Sequence, residues 1–557
     1  MSDVENLSAE NTPADNKRSS WIVSAALFVF TLLWFGFWAQ YGVDPHHDGI
    51  VFKAAADVAR GQTLYAETYS HYGILTVFFQ AAALYVFGVN LLVLKYLSVF
   101  FYALSAVLIY WISKRFLDAK FLWIPIALFY LHAPMYYWEF QPWSSVFSLF
   151  FSLAAFYAVL WCVDKPQSGI AFFAAGVLSV LPFWFRQTCV VFELALPALL
   201  LFWLFGRRFP IKTVAKQFLL FLLGSAAISL PIILWITGNH VTQQYINQTF
   251  IGAMHFAANA TEKNLSEGHS SSLFVTVLKF FLFGGVGGLY FVMIWNTVIG
   301  FLCSSYAFFA KKSDNSQISA VIMLFVFAGL SVHQFYPVPC PWHFFWGGII
   351  GYIALTYTIQ TLIKTQYSIP FVKVAAVVLA LGLFLLPFAS VTKKFYNLAC
   401  DPMSDFYFPV NRIHNAQTIQ RAGVLKGMKV HKTLAVQWER LFDMLDSIPE
   451  ENRNDPIINF TRDGLHPLFF NNQSNFKGQF THFRCWTKEE YQEQIQNSNS
   501  IVLFYHNQEI FDLLRQNNYT VVGPCNLPST NVDLKDFNGY DIYIAYRKAN
   551  KNVTESN

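Results

Sequence analysis

The chain of 557 residues is 55% hydrophobic and 18% aromatic but only 13% charged, about half the charged fraction of an ordinary soluble domain. Such a composition cannot cover several soluble domains with a polar surface, and apolar runs recur from Trp21 to Ser390 with no soluble-looking gap longer than about 35 residues. The net charge of +5 is spread as short basic clusters between those runs, a pattern that speaks for membrane topology and against nucleic-acid binding.

The segment Met1 to Ser20 is acidic and polar before a Lys17-Arg18 pair and lacks the short apolar region and small-residue cleavage site of a signal peptide, so the first span is expected to stay as an anchor. Placing Lys17-Arg18 in the cytoplasm puts residues 39–72 outside. Lys114-Arg115, Arg207-Arg208 with Lys212 and Lys216, Lys311-Lys312 and Lys364 are then all expected to be cytoplasmic, and an even number of crossings must separate any two of them. Residues 73–88 are short for a span and precede a full-length run from Leu91 to Ile112. If both crossed, Lys114-Arg115 would face outside, so 73–88 is read as interfacial or re-entrant.

The remaining spans alternate as 91–113, 120–135, 143–162, 169–185, 188–205 and 217–237. An interfacial piece and one span follow within 272–310, then spans near 318–335, 343–362 and 370–390. The fold class is thus an α-helical polytopic membrane protein of about eleven spans, N-in and C-out. A short cytoplasmic tail (1–20) precedes a membrane domain (21–391), and residues 392–557 form an extracytoplasmic domain.

That tail is rich in Asn, Gln, Asp, Glu and Lys and reads as a small α/β domain. Strand-like runs at Ser500–Tyr505 and Tyr540–Tyr546 alternate with helical stretches at Lys488–Gln496 and Gln508–Asn517. The seven cysteines show no C-x-x-C spacing, so no structural zinc site is signalled, and Cys485 with Cys525 is a disulfide candidate if the tail faces an oxidising compartment. Asn264, Asn459 and Asn472 begin Asn-x-Ser/Thr triplets that would matter in a secretory lumen.

The first outer loop carries the densest chemistry. Asp44, His46, His47 and Asp48 fall within five residues, directly after the first span. There a carboxylate can serve as a general base or hold a divalent cation; the alternative is a solvated loop with a proline turn. The order Asp44-x-x-x-Asp48-Gly49, an amphipathic segment Ile50–Arg60, Gly61-Gln62-Thr63-Leu64-Tyr65 and Tyr72-Gly73-Ile74-Leu75 resembles the first extracytoplasmic loop of the GT-C superfamily. These integral membrane glycosyltransferases include the protein O-mannosyltransferases and lipid A aminoarabinose transferases and use polyprenyl-phosphate sugars. The resemblance covers residues 21 to about 210.

It implies that Asp48 is the catalytic carboxylate, with Asp44 and His46 in support. Where the familiar pattern often reads Asp-Glu, this sequence has His47-Asp48, leaving open a metal (Mg, Mn or Zn) on His47 and Asp48 or the imidazole in its place. In the second outer loop, Glu139 stands among five aromatics as a second catalytic acid or as one solvated acid in an aromatic belt. Arg186, followed by Gln187, interrupts an apolar stretch; the resemblance suggests a donor-phosphate ligand, against simple snorkelling. His343, after a loop stiffened by three prolines, and Lys279, inside the run 273–283, are further donor-phosphate candidates. The loop 238–271, with His240, His255, Glu262 and His269, reads as solvated or as a mobile lid.

The function implied is transfer of a sugar from a polyprenyl-phosphate donor to a glycan, lipid or protein acceptor at the outer face of a membrane, such as a bacterial inner or plasma membrane. A flippase for lipid-linked saccharides and an oligosaccharide polymerase or ligase are the competing readings. No inverted repeat of broken helices favours the flippase.

Overall fold

The computed structural model describes residues 14–44, 46–134, 140–252, 254, 285–311, 316–335, 341–364, 374, 409–421, 423–453, 455, 457–461, 492–493, 495–496, 500–527 and 540–547. Seven helices among them are long and apolar enough to cross a membrane: Arg18–Ala39, Leu91–Phe116, Ser144–Asp164, Gln187–Gly206, Ile211–Gly238, Ser316–Gln334 and Phe345–Lys364. The protein is a polytopic, mainly helical membrane protein with a small C-terminal α/β part.

In chain order the first nine helices are α1 (Ala14–Ala39), α2 (His47–Ala59), α3 (Ile74–Phe87), α4 (Leu91–Phe116), α5 (Trp123–Leu131), α6 (Ser144–Asp164), α7 (Gly169–Phe185), α8 (Val190–Gly206) and α9 (Ile211–Gly238). Helices Gly285–Lys311, Ser316–Ser331 and Pro341–Lys364 follow. Their outer surfaces are apolar. On α9, Leu219, Leu222, Leu223, Leu230, Ile233 and Leu234 are exposed, the reverse of a soluble helix and the arrangement that lipid requires.

Without a hydrophobic drive between helices in lipid, close packing decides which helices meet. α7 and α9 approach backbone to backbone: a Cβ on Gly176 would lie 2.0 Å from the Phe221 carbonyl, and one on Gly224 2.1 Å from that of Phe173. Pro182, Pro197 and Pro231 lie inside α7, α8 and α9, as membrane helices tolerate.

The two ends of the bundle differ in chemistry. At one end, Lys114 donates to the Ser20 hydroxyl, Arg115 pairs with Asp164 and Lys364 with Asp118; Asp118 N–H also donates to Gln360 Oε1 at 2.8 Å. Lys114, Arg115 and Lys364, three of the basic residues expected on one side of the membrane, thus gather there. Residues 40–44, 46–48, 141–145, 186 and 343 lie at the other end.

Helix α3 has 14 residues, about 21 Å against about 30 Å of hydrocarbon. Its polar contacts stay at the second end: Thr76 Oγ1 donates to the Phe185 carbonyl at 2.7 Å and Gln80 Nε2 to that of Pro142 at 2.7 Å. The run expected to span at 120–135 holds only the nine-residue α5, about 14 Å long, tied to α1 where Thr31 Oγ1 and the Tyr130 hydroxyl meet at 2.6 Å. Apart from residue 374, the expected span at 370–390 and the boundary at 391/392 lie outside the described residues.

In the C-terminal part, β1 (Ala416–Thr418) pairs antiparallel with β2 (Lys429–His431). A second sheet has the order β3-β4-β6-β5, from β3 (Ile457–Asn459), β4 (Ile501–Tyr505), β6 (Tyr540–Arg547) and β5 (Tyr519–Leu527). β3 and β4 run parallel, and β6 is antiparallel to both its neighbours. The strand runs at 500–505 and 540–546 and the helix at 508–517 are present as β4, β6 and Gln508–Gln516, capped by Asn507 Oδ1 on Glu509 and Ile510 N–H. Of the stretch 488–496, residues 492–493 and 495–496 are described and helical. Cys485 lies outside the described residues. Asn459, by contrast, is buried, with its Oδ1 accepting from Thr461 N–H and hydroxyl, so that triplet is closed to glycosylation in the folded domain.

The segregated ends predict that a cysteine at position 114 or 115 reacts with a membrane-impermeant maleimide only from the cytoplasmic side, and one at position 46 or 429 only from outside. Labelling of both pairs from one side would contradict this orientation.

Candidate active site

The first outer loop folds back on itself through its two carboxylates. Asp44 Oδ1 accepts from the backbone N–H groups of His46 and His47, each at 2.9 Å, and Asp48 Oδ2 reaches back to Asp44 N–H at 3.1 Å. The donors at the start of α2 are thereby satisfied by the reciprocal logic of a capping box. The four-residue spacing therefore has a structural use besides any chemical one.

Both carboxyls are nearly inaccessible, 1% exposed at Asp44 and 0% at Asp48, and a buried charge needs partners. Asp44 Oδ2 takes His47 Nδ1 at 2.6 Å and Gln141 Nε2 at 3.3 Å. Burial raises the Asp44 pKa, but the His47 charge and hydrogen bond, with His46 and the backbone N–H of His47, outweigh burial and hold it well below the ordinary range. Asp48 Oδ2 has Lys95 Nζ at 3.0 Å, and that ammonium also donates to the Gly42 carbonyl at 2.8 Å. Here burial wins. It pushes Asp48 up to about 6, against the lowering effect of Lys95. Asp48 Oδ1 is buried and has no hydrogen-bond partner among the described residues. One oxygen is fully engaged and the other is left as an acceptor.

The segment 141–145 ties this loop to the rest of the site. Gln141 reaches Asp44, and the Trp143 ring lies 5.4 Å from that of His47 and 6.4 Å from that of His343, which is partly buried. Ser144 and Ser145, at the N-terminus of α6, accept from Arg186 Nη1 at 3.3 and 2.8 Å, and Thr188 Oγ1 accepts from Arg186 Nε at 3.1 Å. Arg186 stands where α7 ends, its backbone turned extended (φ −147°, ψ 110°) before a 3-10 turn at Gln187–Cys189. Among the described residues no carboxylate pairs with it. A guanidinium among hydroxyls at a helix N-terminus is a suitable seat for an anion.

Gln187 closes the outer side, its Nε2 donating to the carbonyls of His71 (2.6 Å) and Thr249 (3.0 Å). The start of the 238–271 loop is accordingly folded: helical residues 242–251 cover the first loop, and Gln248 Nε2 donates to the Tyr65 carbonyl at 2.9 Å while its Oε1 accepts from Ser70 N–H at 3.1 Å. His240, just before them, is exposed. His255, Glu262, His269, Glu139 and Lys279 lie outside the described residues.

The two side chains expected to hold a divalent cation, His47 and Asp48, each already have a partner on one atom. His47 Nδ1 is occupied by Asp44, and Asp48 Oδ2 faces the Lys95 ammonium, which repels a cation there. Among the described residues no three His, Cys, Asp or Glu side chains converge.

Lys95, Gln141, Ser144 and Ser145 were not singled out by the sequence. Lys95 carried a usable signal: a lysine within the apolar run 91–112 must be paired, and an ionisable residue in such a run is by default a functional candidate.

The chain has the GT-C fold. Its structure is similar to that of ArnT from Cupriavidus metallidurans bound to undecaprenyl phosphate, with 13% identity and a TM-score of 0.50 over 94% of this chain and 98% of that one. It is also similar to oligosaccharyltransferase AglB from Archaeoglobus fulgidus in complex with an inhibitory peptide and a dolichol-phosphate (12% identity, 90% of this chain and 69% of that one, TM-score 0.49). The oligosaccharyltransferase of the same organism in complex with Zn and sulfate aligns at 14% identity over 70% of this chain and 57% of that one (TM-score 0.41), so the chain spans little more than half of it. No protein-family model and no curated protein sequence matches the chain.

The α3 start is seated directly on the turn that presents Arg186. A Cβ on Gly73 would fall 2.4 Å from the Trp184 carbonyl, so Gly73→Ala must separate α3 from α7. We expect it to lower stability by about 1–3 kcal/mol, read as a lower melting temperature in detergent. Gly238→Ala, where nothing lies within 4 Å, should melt as wild type. Equal melting of the two variants would contradict this packing.

Proposed function

We propose that the chain is a membrane glycosyltransferase that moves a sugar from a polyprenyl-phosphate donor to an acceptor hydroxyl at the extracytoplasmic face, with Asp48 as the base. The observation that carries this reading is Asp48: a buried carboxylate beside the end of the first span, one oxygen engaged by Lys95 and Asp44 N–H, the other without a partner among the described residues. The GT-C fold supports it, since ArnT has been solved bound to undecaprenyl phosphate.

In a single displacement the acceptor oxygen attacks the anomeric carbon as the bond from that carbon to the phosphate oxygen breaks. The polyprenyl phosphate leaves with the bonding pair, the acceptor proton passes to Asp48 Oδ1, and the anomeric configuration inverts. Arg186, with Ser144, Ser145 and the α6 N-terminus, stabilises the phosphate as its charge grows. Asp44 and His47 hold the loop, and Trp143 offers an aromatic face to a sugar ring.

A base must be deprotonated to act. With Asp48 raised to about 6, transfer should be lost as pH falls through about 6 and regained above it. Asp48→Asn keeps the size and removes the proton acceptor, so turnover should fall about 10²- to 10⁴-fold while donor binding persists. Wild-type turnover from purified Asp48→Asn with a synthetic polyprenyl-phosphate donor would eliminate Asp48 as the base.

For Arg186, loss of a charge-assisted hydrogen bond is worth about 1.5–3 kcal/mol, roughly ten- to a hundredfold in affinity. Arg186→Ala should weaken donor binding by that factor, and Arg186→Lys should recover part of it, keeping the charge without the planar fork. Identical donor affinity in all three proteins would remove Arg186 from the phosphate site.

A further inference from the structure

The loop that carries Asp48 is held by the C-terminal part of the chain as well as by its own helices. β2 pairs with β1 along one edge; along the other it takes up residues 40–42 as an added strand. Lys429 N–H donates to the Gln40 carbonyl at 2.7 Å, Gly42 N–H donates to the Lys429 carbonyl at 2.8 Å, and Tyr41 is bridged to Lys429 in parallel. The Lys429 ammonium lies 4.9 Å from the centroid of the Tyr41 ring. Gly42 has φ +83°, a left-handed conformation open to glycine without strain. Its N–H is fixed by Lys429 and its carbonyl by Lys95, which in turn bonds Asp48. A second contact lies at the start of α4, the helix that bears Lys95: Asn90 Nδ2 donates to the carbonyls of Gly423 (2.9 Å) and Lys426 (3.1 Å).

We propose that the C-terminal domain is a positioning element for Asp48, acting through Lys429, Gly42 and Lys95. The proposal rests on the reading of Asp48 as the base. Lys95 is the positioning residue: it fixes Asp48 Oδ2 and leaves Oδ1 toward the acceptor. Docking of β2 fixes the Gly42 carbonyl that orients the Lys95 ammonium. Undocking therefore weakens the hold of Lys95 on Asp48 without touching the donor-phosphate contacts at Arg186. Among the described residues, the charged groups facing Asp48 are Lys95 from α4 and Asp44 from its own loop, itself held by His47 and His46. The packed α3 carries no charged residue.

The test uses the full chain and separates docking from helix capping. Asn90 Oδ1 caps α4 by accepting from Leu92 N–H at 2.8 Å. Asn90→Asp keeps that acceptor and replaces both donated bonds by a carboxylate facing two carbonyls. Its kcat should fall about tenfold, within the ~10²-fold loss that a 1 Å misplacement brings, with donor KM unchanged. The acid limb of its pH profile should move upward. Lys95→Met should move that limb up by about 1 unit or more, since an opposite charge at this range lowers a carboxyl by about 1–3 units, and Lys95→Arg should restore part of it. Because both changes act through one chain of contacts, Asn90→Asp should cost little further in the Lys95→Met background. A variant that merely loosened the fold would instead multiply the two losses, and that result overturns the proposal. So does a wild-type kcat and pH profile in Asn90→Asp while Asp48→Asn is inactive, which leaves Asp48 standing as the base. Wild-type turnover in Asp48→Asn removes the base itself, and the positioning role with it.

Discussion

The contact on which the site depends is the one between Lys95 and Asp48. A carboxylate with no exposed surface is costly to ionise unless a cation and hydrogen-bond donors replace the water it has lost. Lys95 supplies the cation from the first turns of a membrane helix and Asp44 N–H supplies a donor. Burial nevertheless outweighs them and leaves Asp48 with a raised pKa, which suits a group that must both hold and release a proton near neutrality. Asp44, four residues earlier and equally buried, is shifted in the opposite direction by His47 and His46. Two carboxyls in one loop thus differ in pKa because different partners reach them, the pattern by which distinct roles are assigned to neighbouring carboxyls in active sites.

Around that pair the fold serves to bring short segments to one end of the bundle. α1 delivers residues 40–44, α4 delivers Lys95, the extended residues 141–143 reach Asp44 and His47, and the break between α7 and α8 turns Arg186 onto Ser144 and Ser145. Irregular backbone is tolerated here because it is enclosed by protein. Arg186 is the point at which α7 ceases to be helical, so the position that breaks the span is also the one that presents the guanidinium.

Much of this was legible in the sequence, for identifiable reasons. Apolar runs marked the long helices because their length is set by the bilayer, and the basic clusters at 114–115 and 364 marked one end because charge placement governs topology. The Asp44–Asp48 loop was visible as two carboxylates and two imidazoles within five residues, and Arg186 as a charge interrupting an apolar stretch, where charge is expensive. What escaped were residues whose meaning depends on distant partners. Ser144 and Ser145 are unremarkable in an apolar run until Arg186 is placed against them, and Gln141 until Asp44 is. Nothing near Lys429 in sequence points to residues 40–42, since strand addition uses backbone groups that every residue has. The nine-residue α5 was read as a full span because composition reports apolarity and not where a helix stops.

The most direct test of the account is the position of a bound polyprenyl phosphate in an experimental structure of the protein. The account predicts the phosphate within hydrogen-bond distance of Arg186 and of the Ser144 and Ser145 hydroxyls, with Asp48 Oδ1 facing the side from which an acceptor would approach the anomeric carbon. A head group seated instead at the opposite end of the bundle, beside Lys114, Arg115 and Lys364, would contradict it.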